Sequence, residues 1–256
     1  GDGVEYLRQM GPVDFIYLDP ARRDEHGSRT YAIEDCTPNV LELRDLLLAK
    51  SQYTLVKLSP MLDWRKAVAD FDGTVREVHI VATGNECKEL LLVLGQQMHE
   101  EPSAPRVFCV NDNQRIDYDS AAYTQGLRIG GKPLPEVKNY LYEPNASIMK
   151  AGCFDLVEER FGVTQVGPSS HLFVSATPVA DFPGRGFAIE AIGGMNKKDI
   201  KRLLNGTKQA NIAVRNFPLT APQLRKKLKL ADGGPVYLFG TTMQGCNHVL
   251  LRTSKI

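Results

Sequence analysis

Apolar and polar residues alternate along the first hundred residues in blocks that predict strands and helices in turn. The run from Phe15 to Leu18 has no polar alternation, which predicts a strand buried on both faces of a parallel sheet. Leucines at helical spacing predict a helix over residues 38–50, followed by a strand over 53–58. Asp63 can cap a second helix over residues 64–71. This order of elements is typical of an α/β fold.

A hairpin and a second α/β pattern follow this block. Residues 75–82 and 88–95 predict two strands joined by a tight turn, which favours an antiparallel hairpin over a crossover. After a linker at residues 100–105, a short strand over 106–110 precedes a polar, glycine-rich segment. From residue 177 onward the pattern predicts a compact module with strands over 186–192, 210–214, 235–241 and 246–252 and helices over 197–204 and 221–230.

Four polar or rigid residues follow the first strand directly, where an open α/β sheet places its ligand crevice: Asp19, Pro20, Arg22 and Arg23. Pro20 fixes its own φ and biases Asp19 toward an extended conformation, so the carboxylate is held in a rigid turn. Rigid acceptors suit an amine or a positive centre, and the arginines can bind a phosphate or carboxylate with two hydrogen bonds. The alternative is an ordinary strand end with a capping Asp and two solvated arginines.

The segment Asp19-Pro20-Ala21-Arg22 resembles the motif that ends the fourth strand of class I S-adenosylmethionine-dependent methyltransferases, with Ala21 in place of the usual second proline. In that superfamily the motif lines the meeting point of methyl donor and acceptor. Residues 1–7 resemble the segment after the third strand, whose Asp contacts the adenine amino group of the donor. The resemblance implies S-adenosylmethionine as cofactor, Asp19, Pro20, Arg22 and Arg23 as catalytic residues, and Asp2, Gly3, Leu18 and Asp19 as cofactor-binding residues.

Over most of the chain, the order of motifs resembles one group: methyltransferases with a ferredoxin-like insert and a C-terminal THUMP-like domain. Residues 140–145 match a signature of that insert, in which Glu143 and Asn145 either reach the active site or cap a helix. The resemblance implies an α/β fold, with the second half of a Rossmann-like methyltransferase sheet followed by ferredoxin-like and THUMP-like α+β modules. The implied domains are residues 1–100, 101–175 and 176–256.

A glycine-rich strand-to-helix turn, on which the methionine and ribose ends of the donor normally rest, does not precede Asp2 in the sequence. The predicted strands and helices correspond to the second half of the class I sheet. We therefore expect the chain to be a fragment, or to be unable to bind S-adenosylmethionine tightly by itself.

Three further residues near the same sheet edge are candidates for substrate contact. Arg29 and Tyr31 lie in a polar segment that is too long for a simple connection between strand and helix, and loop solvation is the alternative. Lys57 interrupts an apolar strand. Either it faces the crevice, or that strand is less buried than its neighbours indicate.

The net charge of +1 conceals an asymmetry between the two ends of the chain. Residues 1–101 carry 18 acidic and 11 basic residues, whereas residues 185–229 carry 11 basic and two acidic ones. Such an imbalance favours a polyanion as partner of the C-terminal part, and aromatic residues are too sparse there to predict base stacking. Two solvated helix faces are the alternative. The candidate RNA contacts are Lys197, Lys198, Lys201, Arg202, Arg225, Lys226 and Lys227.

Composition narrows the class of protein. With 43% hydrophobic and 24% charged residues and no long apolar run, the sequence is typical of a soluble protein and predicts no membrane partner. Five cysteines are widely spaced and form no Cys-x-x-Cys pair, so we predict free thiols and no metal site. A cytoplasmic location is the simplest prediction.

Two hypotheses about function follow. In the first, the chain is part of a methyltransferase that methylates a base in RNA, with Asp19 aligning the acceptor. In the second, the methyltransferase fold is catalytically incomplete and the basic C-terminal module supplies RNA binding. Methylation of a small molecule or a protein is a third possibility, because charge asymmetry is the only argument from the residues for a polyanion.

Overall fold

The computed structural model describes residues 1–21, 33–96, 104–122, 138–245 and 247–256. They form two compact units, each with its own sheet. The first comprises Gly1–Thr124 with Ala146–Ala151, and the second comprises Gln125–Asn145 with Gly152–Ile256. The predicted domain boundaries after residues 100 and 175 stay a prediction.

The first unit contains a six-stranded sheet with the strand order β1-β2-β4-β3-β5-β6. Strands β1 and β2 are parallel, β3 and β4 form the predicted antiparallel hairpin, and β5 runs parallel to β3. Four helices, α1 to α4, accompany the sheet. The elements are α1 (Gly3–Gln9), β1 (Val13–Leu18), α2 (Val40–Lys50), β2 (Ser51–Leu58), α3 (Trp64–Asp70), β3 (Val75–Thr83), β4 (Glu86–Gly95), β5 (Arg106–Asn111), β6 (Gln114–Asp119) and α4 (Ala146–Ala151).

One face of this sheet forms the core of the unit. Alternate residues of the central strands, such as Val56, Leu92 and Ile80, are fully buried, and α2 and α4 pack on the sheet. Helix α4 begins beside the turn between β3 and β4, because the Ala146 amide donates a hydrogen bond to Asn85 Oδ1 at 2.8 Å. Apolar burial on this face is the main stabilising contribution to the unit.

The structure differs from the sequence prediction for this unit at two places. Strand β1 is not buried on both faces, since Phe15 and Tyr17 are more than half exposed. The reason is its place at one edge of the described sheet, where β2 is its neighbour. The second difference is β6, a strand that was not predicted and that lies in the polar, glycine-rich segment. Its alternation of buried Ile116 and Tyr118 with polar residues is short and easily missed.

The second unit contains a seven-stranded sheet with the order β11-β12-β13-β10-β7-β9-β8. Within it, β11 and β12 are parallel, and the other pairs are antiparallel. The elements are β7 (Tyr140–Pro144), α5 (Phe154–Phe161), β8 (Thr164–Gln165), β9 (Phe173–Ser175), β10 (Gly184–Gly193), α6 (Lys197–Leu204), β11 (Asn211–Arg215), α7 (Ala221–Leu228), β12 (Val236–Thr242) and β13 (His248–Lys255).

Two apolar clusters fill the second unit. The first gathers Leu203 of α6 and Leu224 of α7 with Leu238 of β12, so these helices share a core with the strands. The other cluster surrounds Phe187 of β10 and Phe239 of β12, whose ring centroids lie 4.9 Å apart. The strand-helix alternation predicted for the C-terminal part is confirmed.

Candidate functional site

Strands β1 and β2 bring Asp19 and Lys57 together at the edge of the first sheet. The strands are parallel, and Leu18 lies opposite Val56, so the residues that follow each of them are neighbours. Lys57 Nζ lies 3.1 Å from Asp19 Oδ2. The sequence prediction that these two strands place polar groups at one edge is therefore confirmed by the geometry.

Lys57 also contacts a second carboxylate. Its Nζ lies 3.6 Å from Glu89 Oε1, and Glu89 is on β4, two residues before Leu91, which pairs with Lys57. The hydrogen bond to Asp19, together with the charge of Glu89, raises the pKa of Lys57, so the ammonium stays protonated. Sequence reasoning missed Glu89. The available signal was a lysine inside an apolar strand, which needs a carboxylate on a neighbouring strand.

The turn after β1 is held by its backbone. Pro20 is buried, and Ala21 and Thr37 exchange two hydrogen bonds, from each amide to the other carbonyl, at 2.8 and 3.0 Å. The Asp19 side chain is 43% exposed, and its Oδ1 has no hydrogen-bond partner among the described residues. Asp19 is therefore fixed at one carboxylate oxygen and open to solvent at the other. Four predicted residues, Arg22, Arg23, Arg29 and Tyr31, lie outside the described residues.

The proposed cofactor residues near the N-terminus begin helix α1. Asp2 is its N-cap, and Asp2 Oδ1 accepts hydrogen bonds from the amides of Val4 at 2.7 Å and Glu5 at 3.2 Å. Gly3 is the first helical residue, and Leu18 is the half-buried last residue of β1. Capping uses one oxygen of the Asp2 carboxylate, and contact of this residue with adenine stays a prediction.

The predicted RNA contacts divide into two groups. Arg202 donates to the Ile192 carbonyl, and Arg225 donates to the carbonyls of Ala210 and Ala231, so both help to hold the fold. The lysines are exposed and have no ion pair within the part of the chain that the structure covers. These lysines are Lys197, Lys198 and Lys201 on α6, and Lys226 and Lys227 on α7.

Metal sites, reactive cysteines and membrane-spanning helices have less support. No three His, Cys, Asp or Glu side chains come together as metal ligands would in the described ranges. Cys36, Cys87, Cys109 and Cys153 are free thiols, and burial raises the pKa of Cys87, which makes it a poor nucleophile. None of the helices in those ranges has the length and apolar character needed to cross a membrane.

Comparisons with known proteins found two matching family models and a similar crystal structure. The family model of a ferredoxin-like domain matches residues 140–183, and that of a THUMP domain-like segment matches residues 184–255. A crystal structure described as a "putative methyltransferase" from Porphyromonas gingivalis W83 is 35% identical with a TM-score of 0.87. The match covers 100% of this chain and 63% of that chain. No match was found among curated proteins.

The chain thus spans less than two thirds of the length of the structure that it matches. The adjoining family matches lie within the second unit, and the structural match extends over both units. These findings confirm the predicted fold class. They also confirm the resemblance drawn from the sequence: the chain is similar to a structure described as a "putative methyltransferase" and contains segments that match ferredoxin-like and THUMP-like family models.

Proposed function

We propose that the protein is an S-adenosylmethionine-dependent methyltransferase that methylates a base in RNA. The observation that carries this proposal is the Asp19 turn at the carboxyl edge of β1, held by Lys57, in a sheet whose structural neighbour is described as a methyltransferase. In α/β sheets of this kind, ligands bind beyond the carboxyl ends of the strands.

The charges at this edge fit a cationic methyl donor. Two carboxylates, those of Asp19 and Glu89, contact the ammonium of Lys57. Carboxylates at this edge favour a sulfonium ion nearby. When bound, S-adenosylmethionine supplies an electrophilic methyl group whose bond to sulfur breaks as the bond to the acceptor forms. Asp2 Oδ2, which capping leaves unused, is the acceptor we assign to the adenine amino group.

Asp19 would orient the acceptor base. Its Oδ1 has no partner in the described ranges and can accept a hydrogen bond from an exocyclic amine or a ring N–H. Because Lys57 fixes Oδ2, the carboxylate loses little freedom when the base binds. Methyl transfer to nitrogen depends mainly on alignment of the two reactants, so a fixed carboxylate is a suitable orienting group.

The second unit supports RNA as the substrate. Its helices α6 and α7 expose lysines that can contact a phosphate backbone, and the matched THUMP-like segment includes both helices. Contact with phosphates gives affinity without sequence preference. The choice of base would then depend on the site at Asp19.

The test is transfer of tritium-labelled methyl groups from S-adenosylmethionine to RNA by the full-length protein. Asp19→Ala is expected to reduce transfer by about 100-fold or more, because the acceptor loses its orienting group. Asp14→Ala, at an exposed position of the same strand, is the matched control and should retain the wild-type rate. Full transfer by Asp19→Ala would refute the role of this turn. If the wild-type protein binds RNA but transfers no methyl group, the second hypothesis is favoured, in which the methyltransferase fold is catalytically incomplete and the protein binds RNA.

A further inference from the structure

Glu143, which the sequence places in the signature of the ferredoxin-like insert, binds two arginines of the second unit. Arg185 donates from Nε to Glu143 Oε2 at 3.0 Å and also from Nη2 to the same oxygen. Arg215 donates from Nη2 to Glu143 Oε1 at 2.9 Å. The Glu143 side chain is only 5% exposed, whereas the arginine side chains are 45% and 39% exposed. One buried carboxylate therefore orients two guanidinium groups that reach solvent.

The sheet must curl to make this contact. Arg215 is on β11, and Glu143 is on β7, four strands away in the sheet order. In a flat sheet these strands would lie about 19 Å apart, since neighbours are spaced by about 4.8 Å, and the two side chains cannot span that distance. The curled sheet thus brings arginines from distant strands to one place. We call Glu143, Arg185 and Arg215 the arginine clamp.

Buried polar atoms without partners occur on Arg215 of the clamp and on residues near it. Arg215 Nε and Thr241 Oγ1 are buried and have no hydrogen-bond partner among the described residues, and Thr241 pairs with Arg215 in the register of β11 and β12. His171 Nδ1 is also buried and has no hydrogen-bond partner among these residues. Burial, together with the charge of Arg215, lowers the pKa of His171, which keeps the imidazole neutral beside the clamp.

A short loop carries His171 to this position. The Gln244 amide donates to the Val166 carbonyl at 3.0 Å, and Asn216 Nδ2 donates to the Pro168 carbonyl at 2.8 Å. Both bonds tie the loop before His171 to the ends of the strands that carry Arg215 and Thr241. Several segments of the second unit thus bring these polar groups together.

We propose that the arginine clamp binds a phosphate group of the RNA backbone. Two arginines and one glutamate leave one positive charge, which one phosphodiester neutralises. Three hydrogen bonds to Glu143 use three of the ten N–H donors that two guanidinium groups carry, so donors remain for phosphate oxygens. The choice of RNA as the source of the phosphate rests on the proposed function.

An ion pair that served only the fold would not need this arrangement. One arginine is enough to neutralise a buried glutamate, and the second adds charge that must be solvated or paired. The clamp also differs from the lysines of α6 and α7, whose ammonium groups end flexible stems. A fork fixed by Glu143 loses less freedom when it binds phosphate, so we assign the clamp a larger share of RNA affinity than any single helix lysine.

The experiment uses fluorescence anisotropy to measure binding of a fluorescein-labelled 12-nucleotide oligouridylate to the full-length protein, over a range of salt concentrations. Arg185→Gln and Arg215→Gln are each expected to raise Kd about tenfold, since each removes charge-assisted hydrogen bonds. Each should also reduce the slope of log K against log salt by about 0.7. Arg106→Gln, in the first unit, replaces an exposed arginine that also pairs with a carboxylate, and should leave both quantities unchanged.

A second measurement on the wild-type protein does not depend on how the variants fold. The arginine Nε–H signals in a nitrogen-15 NMR spectrum should shift for Arg185 and Arg215 when the oligouridylate is added. If the oligouridylate binds without these shifts, the proposed role of the clamp is wrong. An unchanged Kd in both variants would have the same meaning. Neither result would contradict RNA methylation. Shifts with inorganic phosphate but no binding of the oligouridylate would overturn RNA as the source of the phosphate. Methyl transfer to RNA, measured separately, tests the proposed function itself.

Discussion

Replacing Glu143 by glutamine tests how much the buried carboxylate contributes to the stability of the second unit. The amide keeps the shape of the side chain and one acceptor oxygen, but it turns an N–H donor toward one of the arginines. At least one guanidinium group therefore loses its partner, and the remaining positive charges face each other. Both arginine positions are held by this one carboxylate, so no other described residue replaces it.

The size of the effect follows from burial. A full charge pair 3 Å apart is worth about 5.5 kcal/mol at an effective dielectric constant of 20, and breaking a buried pair costs about 3–5 kcal/mol. Because the arginines of the clamp are 45% and 39% exposed, water recovers part of this energy. We expect Glu143→Gln to lower the free energy of unfolding by about 2–3 kcal/mol.

Glu190→Gln is the matched control. Glu190 accepts a hydrogen bond from Arg252 Nε at 2.7 Å, but its side chain is 40% exposed, so the same substitution should cost less than about 1 kcal/mol. Urea unfolding followed by circular dichroism measures both variants, and hydrogen exchange of β7 and β10 amides assigns the loss to the second unit. An equal cost for Glu143→Gln and Glu190→Gln would refute the argument from burial.

Two further predictions concern Lys57 and His171. Lys57→Met should slow methyl transfer by about tenfold or more, because Asp19 loses the hydrogen bond that fixes its Oδ2. Lys88→Met, on the same sheet and also paired with a glutamate, should leave the rate of transfer unchanged. The wild-type protein should lose stability as the pH falls below about 6.5, since unfolded His171 takes up a proton that the folded protein resists. His171→Asn, which tolerates the positive φ at this position, should flatten that pH dependence in urea unfolding, and an unchanged slope would contradict it.

Local structure was readily predicted where a short segment contains its own signals. Helix α6 spans Lys197–Leu204 as predicted, because Asn196 caps it and Ile200, Leu203 and Leu204 form one apolar face. The polar edge after β1 was predicted for the same reason. An apolar run that ends in Asp-Pro marks both the strand and the place where its chemistry lies.

Contacts between distant segments were not predicted. Arg215 lies 72 residues after Glu143, and nothing in either local sequence identifies the other as a partner. The same holds for Glu89, which reaches Lys57 only through the register of β2 and β4. The exposure of β1 was also missed, since an apolar run does not reveal whether a strand is central or at an edge.

The most direct test of the account is calorimetric titration of S-adenosylmethionine into the full-length protein. We predict saturable binding of S-adenosylmethionine. Such binding would support a methyltransferase and justify a search for its RNA substrate. Absence of binding to the full-length protein would contradict the account and leave an RNA-binding module that retains a methyltransferase-like fold.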